Sequence, residues 1–402
     1  MKKKILVIAP KSYPVIDAEA IVNIKLLTAF SNSNQFEIDL ISKRGGQYYP
    51  SDSLESYNVK INKHEIIQVE NKINLSTIFQ HIVSYLVFGC TFMGAHWAVV
   101  ALPCVKRLVK SNKYDYVLTK NSPSFLLGWY LKKRYGIKWI ATWNDPCPDV
   151  KYPQPYGEGY SAKGKLVDRL QISIMKKADG HIFPSKRLRD YMMKYLNVSK
   201  EQTYVIPHVI LNSDKSEYIC SEEKTLKIIH SGNLKAPRNP RPFLEALSEF
   251  HHLNQDKQIE VTLMGVYDSD IPDYIRKFHI EDVVKLERPV AYQESIKILS
   301  NYHVCLIIEA DCEEGIFLPT KVADFLQCGK RIYALSPKIG VLHDLFESGA
   351  VSYFSYVEDK RQILESLNMV YNDFQKGLLN SFMDSTPPEF TEENISKLYF
   401  SL

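Results

Sequence analysis

Short apolar runs alternate with helical stretches along almost the whole chain, and this alternation restricts the fold more than any other feature. "KILVIAP" near the N-terminus is followed by a helical pattern from Asp17 to Phe30. Then come "FEIDLIS", "YDYVLTK", "KWIATW", "GHIFPS" and "TYVIPHV". A polar stretch, Leu211 to Thr225, interrupts the pattern, which restarts with "KIIHSG", "EVTLMG", "VKLE", "VCLIIE" and "RIYALSP". Continuous apolar strands between helices belong to parallel sheets covered on both faces, because a sheet with one wet face alternates apolar and polar residues instead. The chain is therefore expected to be α/β, with two doubly wound domains. The expected boundaries are 1–207 for the first and 208–387 for the second, with a last helix at 388–402 packing back on the first. With 402 residues, 45% of them hydrophobic, each half can bury its own core.

Several function classes lose support at once. The formal net charge of +4 and the lack of a long Lys/Arg block or zinc-finger spacing do not point to nucleic acid. The seven cysteines, Cys90, Cys104, Cys147, Cys220, Cys305, Cys312 and Cys328, are scattered and never form Cys-x-x-Cys. That usage suits a reducing compartment and argues against a metal or disulfide framework. The apolar run in "MKKKILVIAP" is short for a signal peptide and reads as a buried first strand. A cytoplasmic location is expected.

One segment departs from the pattern. Ile82 to Leu102 contains no Asp, Glu, Lys or Arg. Its length could span a bilayer, but strands of one parallel sheet lie on both sides of it in sequence. One or two buried helices is the leading expectation. The alternative is a helix lying on a membrane surface, helped by Lys106, Arg107, Lys110 and Lys113 just after it.

Two stretches carry the chemistry. In "LPTKVADFLQCGKRIYAL", Pro319 suits a helix start and Gly329 a helix end. Val322, Phe325 and Leu326 form an inward stripe. Lys321 in the first turn opposes the helix dipole, which is reasonable only if an anion shares the site with it and with the N–H groups near Thr320. Asp324, one turn on, could accept hydrogen bonds from a ribose diol. A plain surface helix with a Lys–Asp pair is the competing reading. In "IIHSGNLKAPRNPRPFLEAL", a strand ends at Ser231-Gly232 and a helix follows, with Asn233, Lys235, Arg238 and Arg241 between or beside them. Such strand–glycine–helix junctions bind diphosphates, and a guanidinium fork fits phosphate oxygens.

With these two stretches the chain resembles retaining glycosyltransferases of family 4 (group 1 type), which have the GT-B fold of two Rossmann-like domains facing across a cleft. The resemblance rests mainly on residues 226 to 340. It includes "LMG" at Leu263 to Gly265 and "RPVAYQESIKILSNYHVCLII", with looser agreement at "YDYVLTKNSPS", "IKWIATWNDP" and "ADGHIFPSKRLRDYM". It implies transfer of a sugar from a nucleotide-diphosphate sugar to a hydroxyl, with retention. Arg238, Lys321 and the N–H groups around Thr320 would grip the diphosphate. Ser231, Gly232, Asn233, Gly265, Val290, Glu314 and Asp324 would complete the donor site. Asp145, in "TWNDPCPDV", would face the acceptor; an Asx-turn before Pro146 is its structural alternative. The family's first acid would fall at Ile316, so Glu314 is the nearest candidate for that role. No metal or cofactor is expected. A lipid-linked glycan acceptor, peripheral contact with the inner membrane through residues 82–113, and a role in bacterial surface polysaccharide (capsule or O-antigen) follow as expectations. The rivals are a nucleotide-sugar 2-epimerase on the same fold, an inactive donor-binding or scaffold homologue, and a two-lobed solute receptor.

Overall fold

The computed structural model describes residues 2–14, 17–44, 54–70, 72–212, 224–383 and 386–402. Most of the expected Leu211–Thr225 linker, and Cys220, lie outside them. The chain divides into two compact units. The first comprises Met1–Pro153, Gly157–Leu211 and Glu389–Leu402, and the second Gln154–Tyr156 and Asn212–Pro388. The assignment of Gln154–Tyr156 to the second unit is not visible in the sequence pattern.

The first unit holds β1 (Lys3–Ile8), β2 (Phe36–Lys43), β3 (Lys63–Ile67), β4 (Tyr116–Lys120), β5 (Trp139–Thr142), β6 (Gly180–Phe183) and β7 (Thr203–Val205). They form one parallel sheet in the order β3-β2-β1-β4-β5-β6-β7. Its helices are α1 (Ala18–Ser33), α2 (Leu75–Phe88), α3 (Ala95–Ser111), α4 (Ser124–Tyr135), α5 (Leu166–Met175) and α6 (Lys186–Leu196). The second unit holds β8 (Leu226–Ser231), β9 (Ile259–Met264), β10 (Val284–Glu287), β11 (Val304–Ile308), β12 (Arg331–Ser336) and β13 (Tyr353–Tyr356). Its parallel order is β10-β9-β8-β11-β12-β13. Here the helices are α7 (Arg241–Leu253), α8 (Ile271–Lys277), α9 (Tyr292–Leu299), α10 (Thr320–Gln327), α11 (Val341–Glu347) and α12 (Lys360–Gln375). The last helix, α13 (Glu392–Ser401), belongs to the first unit.

The sequence dictates these elements locally. Asp17 caps α1 by accepting from Ala20 N at 2.8 Å, and Ser185 caps α6 by accepting from Leu188 N at 3.0 Å. Asn197 ends α6 in the left-handed region, φ 52°. Pro319 stands at the N-cap of α10, one place before the expected first turn. α13 packs against α1, with Tyr399 edge-on to Phe30 at 5.0 Å and Tyr116 Oη donating to Tyr399 O at 3.0 Å. Each sheet has a single reversal of strand order, between β1 and β4 in the first unit and between β8 and β11 in the second. At a reversal the flanking helices lie on opposite faces, so a crevice opens at the carboxyl ends of the two central strands.

The Ile82–Leu102 segment forms two helices, and burial holds for only one of them. The first half of α3 is buried, including Ala95, Trp97, Ala98, Ala101 and Leu102. The apolar face of α2 is turned to solvent: Leu75 is 87% exposed, Phe79 64% and Leu86 76%. The expectation of buried helices is corrected there. Among the described residues no helix is long and apolar enough to cross a membrane.

Candidate functional site

The reversal point of the second sheet collects polar groups from four loops. β8 ends at Ser231, and Gly232 follows with φ +124°. A Cβ at Gly232 would lie 2.8 Å from Lys321 Cε and 3.0 Å from its Nζ, so the lysine side chain lies directly over this glycine. Gly265, just after β9, has φ +144°, and a Cβ there would lie 2.1 Å from the Gly232 carbonyl oxygen. The two glycines let adjacent loops pack backbone to backbone beneath the lysine. Gly265→Ala therefore meets rigid backbone, and we expect it to cost about 3 kcal/mol or more of stability, read by denaturant unfolding.

Lys321 is the second residue of α10, and its Nζ sits 3.2 Å from His230 Nε2. Burial pushes the ammonium down to about 8, partly offset by the nearby Glu309 carboxylate. Burial, and then the cations Lys321 and Arg238, hold the His230 imidazole well below its usual range. His230 is thus neutral, and its Nε2 can accept a hydrogen bond from the Lys321 ammonium. Arg238, in the β8–α7 loop, makes an ion pair with Glu309 just beyond β11, Nη2 to Oε2 at 3.3 Å. The Tyr156 hydroxyl reaches the same carboxylate at 3.5 Å. Asp324 accepts from the Tyr292 hydroxyl at 2.7 Å. Two cations beside a glycine turn and a helix N-terminus are groups able to hold an anion, and a carboxylate can accept from hydroxyl groups.

The structure brings Gly232, Arg238, Gly265 and Lys321 together, with Asp324 close enough to bear on the Lys321 charge. Ser231 and Asn233 flank Gly232 on the same loop. Thr320 begins α10, Val290 lies in the β10–α9 loop, and Glu314 lies in the β11–α10 loop. Sequence reasoning missed Glu309, His230, Tyr292 and Tyr156. For Glu309 the signal was available, since it is the acid at the carboxyl end of the run "VCLIIE".

Asp145 belongs to the first unit, in the loop after β5. That unit's reversal point carries a polar cluster of its own. Lys11 pairs with Glu19 at 3.1 Å, and Asn121 Nδ2 donates to Glu19 Oε1 at 2.8 Å. Asn144 N donates to Asn121 Oδ1 at 3.1 Å. Burial raises the Glu19 carboxyl against the pull of Lys11, and the Asp145 charge adds to the rise. Lys120, at the end of β4, is only 5% exposed and is pushed down by burial to about 8. It lines a small pocket with Thr142, Asn144 and His208. None of Lys11, Glu19, Lys120 or Asn121 was singled out from the sequence.

The architecture is that of the GT-B glycosyltransferases, two parallel-sheet α/β domains. A glycosyltransferase from Rickettsia africae aligns over 100% of this chain and 97% of its own, at 12% identity and TM-score 0.66. Anabaena HepE, solved with UDP and glucose, aligns over 99% and 98%, at 14% identity and TM-score 0.64. A Listeria monocytogenes protein described as a UDP-N-acetylglucosamine 2-epimerase aligns over 99% and 94%, at 12% identity and TM-score 0.56. At such identities the likeness shows the fold alone. The family model described as Glycosyltransferase Family 4 matches residues 70–210. That match falls in the N-terminal half, whereas the motifs read from the sequence concentrate at 226–340. No curated protein sequence matches the chain.

Proposed function

We propose that this protein is a glycosyltransferase that moves a sugar, with retention, from a nucleoside-diphosphate sugar to a hydroxyl of a lipid-linked glycan. The observation that carries the reading is the pair of cations, Lys321 and Arg238, gathered at the Gly232 turn where the second sheet reverses. Ser231, Gly232, Asn233, Gly265 and the Thr320 N–H would surround the diphosphate; Asp324 would take the ribose, Val290 the base and Glu314 the sugar. In the reaction the bond between the anomeric carbon and the diphosphate oxygen breaks, and the acceptor oxygen bonds to that carbon. The acceptor proton passes to an oxygen of the leaving diphosphate. Arg238 and Lys321 act by stabilising the negative charge that develops on the leaving group. Asp145, with the Glu19 cluster, binds the acceptor hydroxyls. The setting is bacterial surface-polysaccharide assembly at the cytoplasmic face of the membrane.

Two results are expected if this reading holds. Transfer is unaffected by a metal chelator, because the two side-chain cations supply the charge that a divalent ion would otherwise supply. Tyr292→Phe leaves folding intact but removes the group that orients Asp324, and donor binding weakens by about five-fold, the equivalent of one lost hydrogen bond. The test of the function itself is nucleoside-diphosphate release from candidate sugar donors, with and without lipid-linked acceptors. Release coupled to acceptor glycosylation supports transfer. Conversion of the donor with no acceptor present would instead favour the 2-epimerase, and tight donor binding with no turnover would favour an inactive homologue.

A further inference from the structure

Helix α2 is amphipathic in the reverse sense from a helix of a water-facing domain. Its inward face carries Thr77, Ser84 and Phe88, all buried, and His81, whose Nδ1 meets Thr91 Oγ1 at 2.7 Å and whose ring lies 5.4 Å from that of His96. Its outward face carries Leu75, Ile78, Phe79, Ile82, Tyr85 and Leu86, every one exposed. Ile73 just before the helix and Met93 just after it are more than nine-tenths exposed. The spacing is that of one helical stripe, and the helix contains no charged residue. The helix is held in this orientation rather than frayed. Asn74 and Thr77 make a reciprocal capping box, and Gly89, φ +72°, closes the other end by donating to Tyr85 O. A stripe of this size in water lowers solubility without stabilising the fold, so it implies a covering partner.

Charge selects the partner. Residues 71–114 contain no Asp or Glu but include Lys72, Lys106, Arg107, Lys110 and Lys113. Arg107 is paired with Glu65 from β3 at 2.7 Å. The other cations are partly or fully exposed, and α3, which bears Lys106 and Lys110, packs against α2. A second copy applied to the same face would bring two surfaces with an excess of cations together. A layer of anionic lipid headgroups would neutralise them while its acyl region received the stripe. At 14 residues, α2 is about 21 Å long, too short to span the hydrocarbon core, and suits lying in the plane of the interface. We propose that α2 docks the first unit on an anionic bilayer, with Phe79, Ile82 and Leu86 inserted and the α3 lysines at the headgroups. This inference stands on the first unit's surface and does not depend on the donor site in the second.

The test is flotation of the full chain with vesicles of phosphatidylcholine alone and of phosphatidylcholine containing phosphatidylglycerol. The wild type is expected to float with the anionic vesicles, less at high salt, and weakly with the neutral ones. The triple change Phe79→Ser, Ile82→Ser and Leu86→Ser is expected to weaken binding by about ten-fold or more, since it removes most of the inserting area. Its thermal unfolding and its nucleotide binding should match the wild type, because all three side chains face solvent and lie outside the donor unit. Failure of the wild type to float on anionic vesicles overturns the proposal, as does equal flotation of the triple variant. If the wild type sediments as a dimer that the same substitutions dissociate, and does not float, a second copy covers the stripe instead.

Discussion

Replacing Lys321 with Met should weaken nucleoside-diphosphate binding by about 10- to 100-fold, the equivalent of one charge-assisted contact to phosphate, and should make the protein more stable at neutral pH. The two effects have one cause. The ammonium lies over Gly232 near Arg238, and burial holds it at about 8 rather than near 10.5. With the folded value below the unfolded one, the unfolded chain binds the extra proton between about pH 8 and 10.5. Stability therefore rises with pH across that window, and the burial penalty is fully present below it. Met carries no such penalty. At pH 7 the variant should gain on the order of 1–3 kcal/mol, less the lost contact to His230, and the gain should vanish above about pH 10.5. A bound diphosphate would hold the proton on Lys321. Wild-type affinity should accordingly decline as pH rises past about 8, and the variant should lack this decline. Calorimetric titration and thermal unfolding of both proteins across pH check each part. A variant that binds as tightly as wild type would remove Lys321 from the site.

Arg238→Ala should affect turnover more than binding. In the structure the guanidinium is held by Glu309, and the Tyr156 hydroxyl reaches the same carboxylate oxygen. A donor diphosphate must compete with Glu309 for it, so ground-state binding gains little. As the bond to the anomeric carbon breaks, charge builds on the diphosphate and the competition shifts toward the ligand. The loss should appear chiefly in kcat, by about 100- to 1000-fold, with a smaller change in KM. Arg238→Lys should recover only part of it, because a point charge cannot reproduce the fork. A rise in KM with kcat unchanged would make Arg238 a binding residue only.

The central strands were legible in the sequence because each is paired on both sides and covered on both faces, leaving a continuous apolar run such as "KILVI" or "VCLII". Of the four edge strands, β7 and β10 were read within "TYVIPHV" and "VKLE", but β3, "KHEII", and β13, "YFSY", were not. Each pairs on one side only and keeps polar residues. Lys321 was legible because a lysine in a first helical turn conflicts with the dipole, and the conflict singled it out as a candidate. Glu309, His230 and Tyr292 were not, because their partners are distant in sequence: 71 residues separate Arg238 from Glu309. Only the crossover that sets β11 beside β8 brings them into contact. The orientation of α2 was illegible for a different reason. A helical stripe has the same period whether it faces a core or the outside, and periodicity alone does not say which.

The central claim is that the Gly232–Lys321 corner of the second unit is a donor-diphosphate site. The most direct measurement is calorimetric titration of the wild type and Lys321→Met with UDP, GDP, CMP and their common sugar conjugates. The account expects the wild type to bind one nucleoside diphosphate and its sugar conjugate, and the variant, folded and at least as stable, to bind them about ten-fold or more weakly. A well-folded wild type that binds none of them, or a variant that binds equally well, would contradict it.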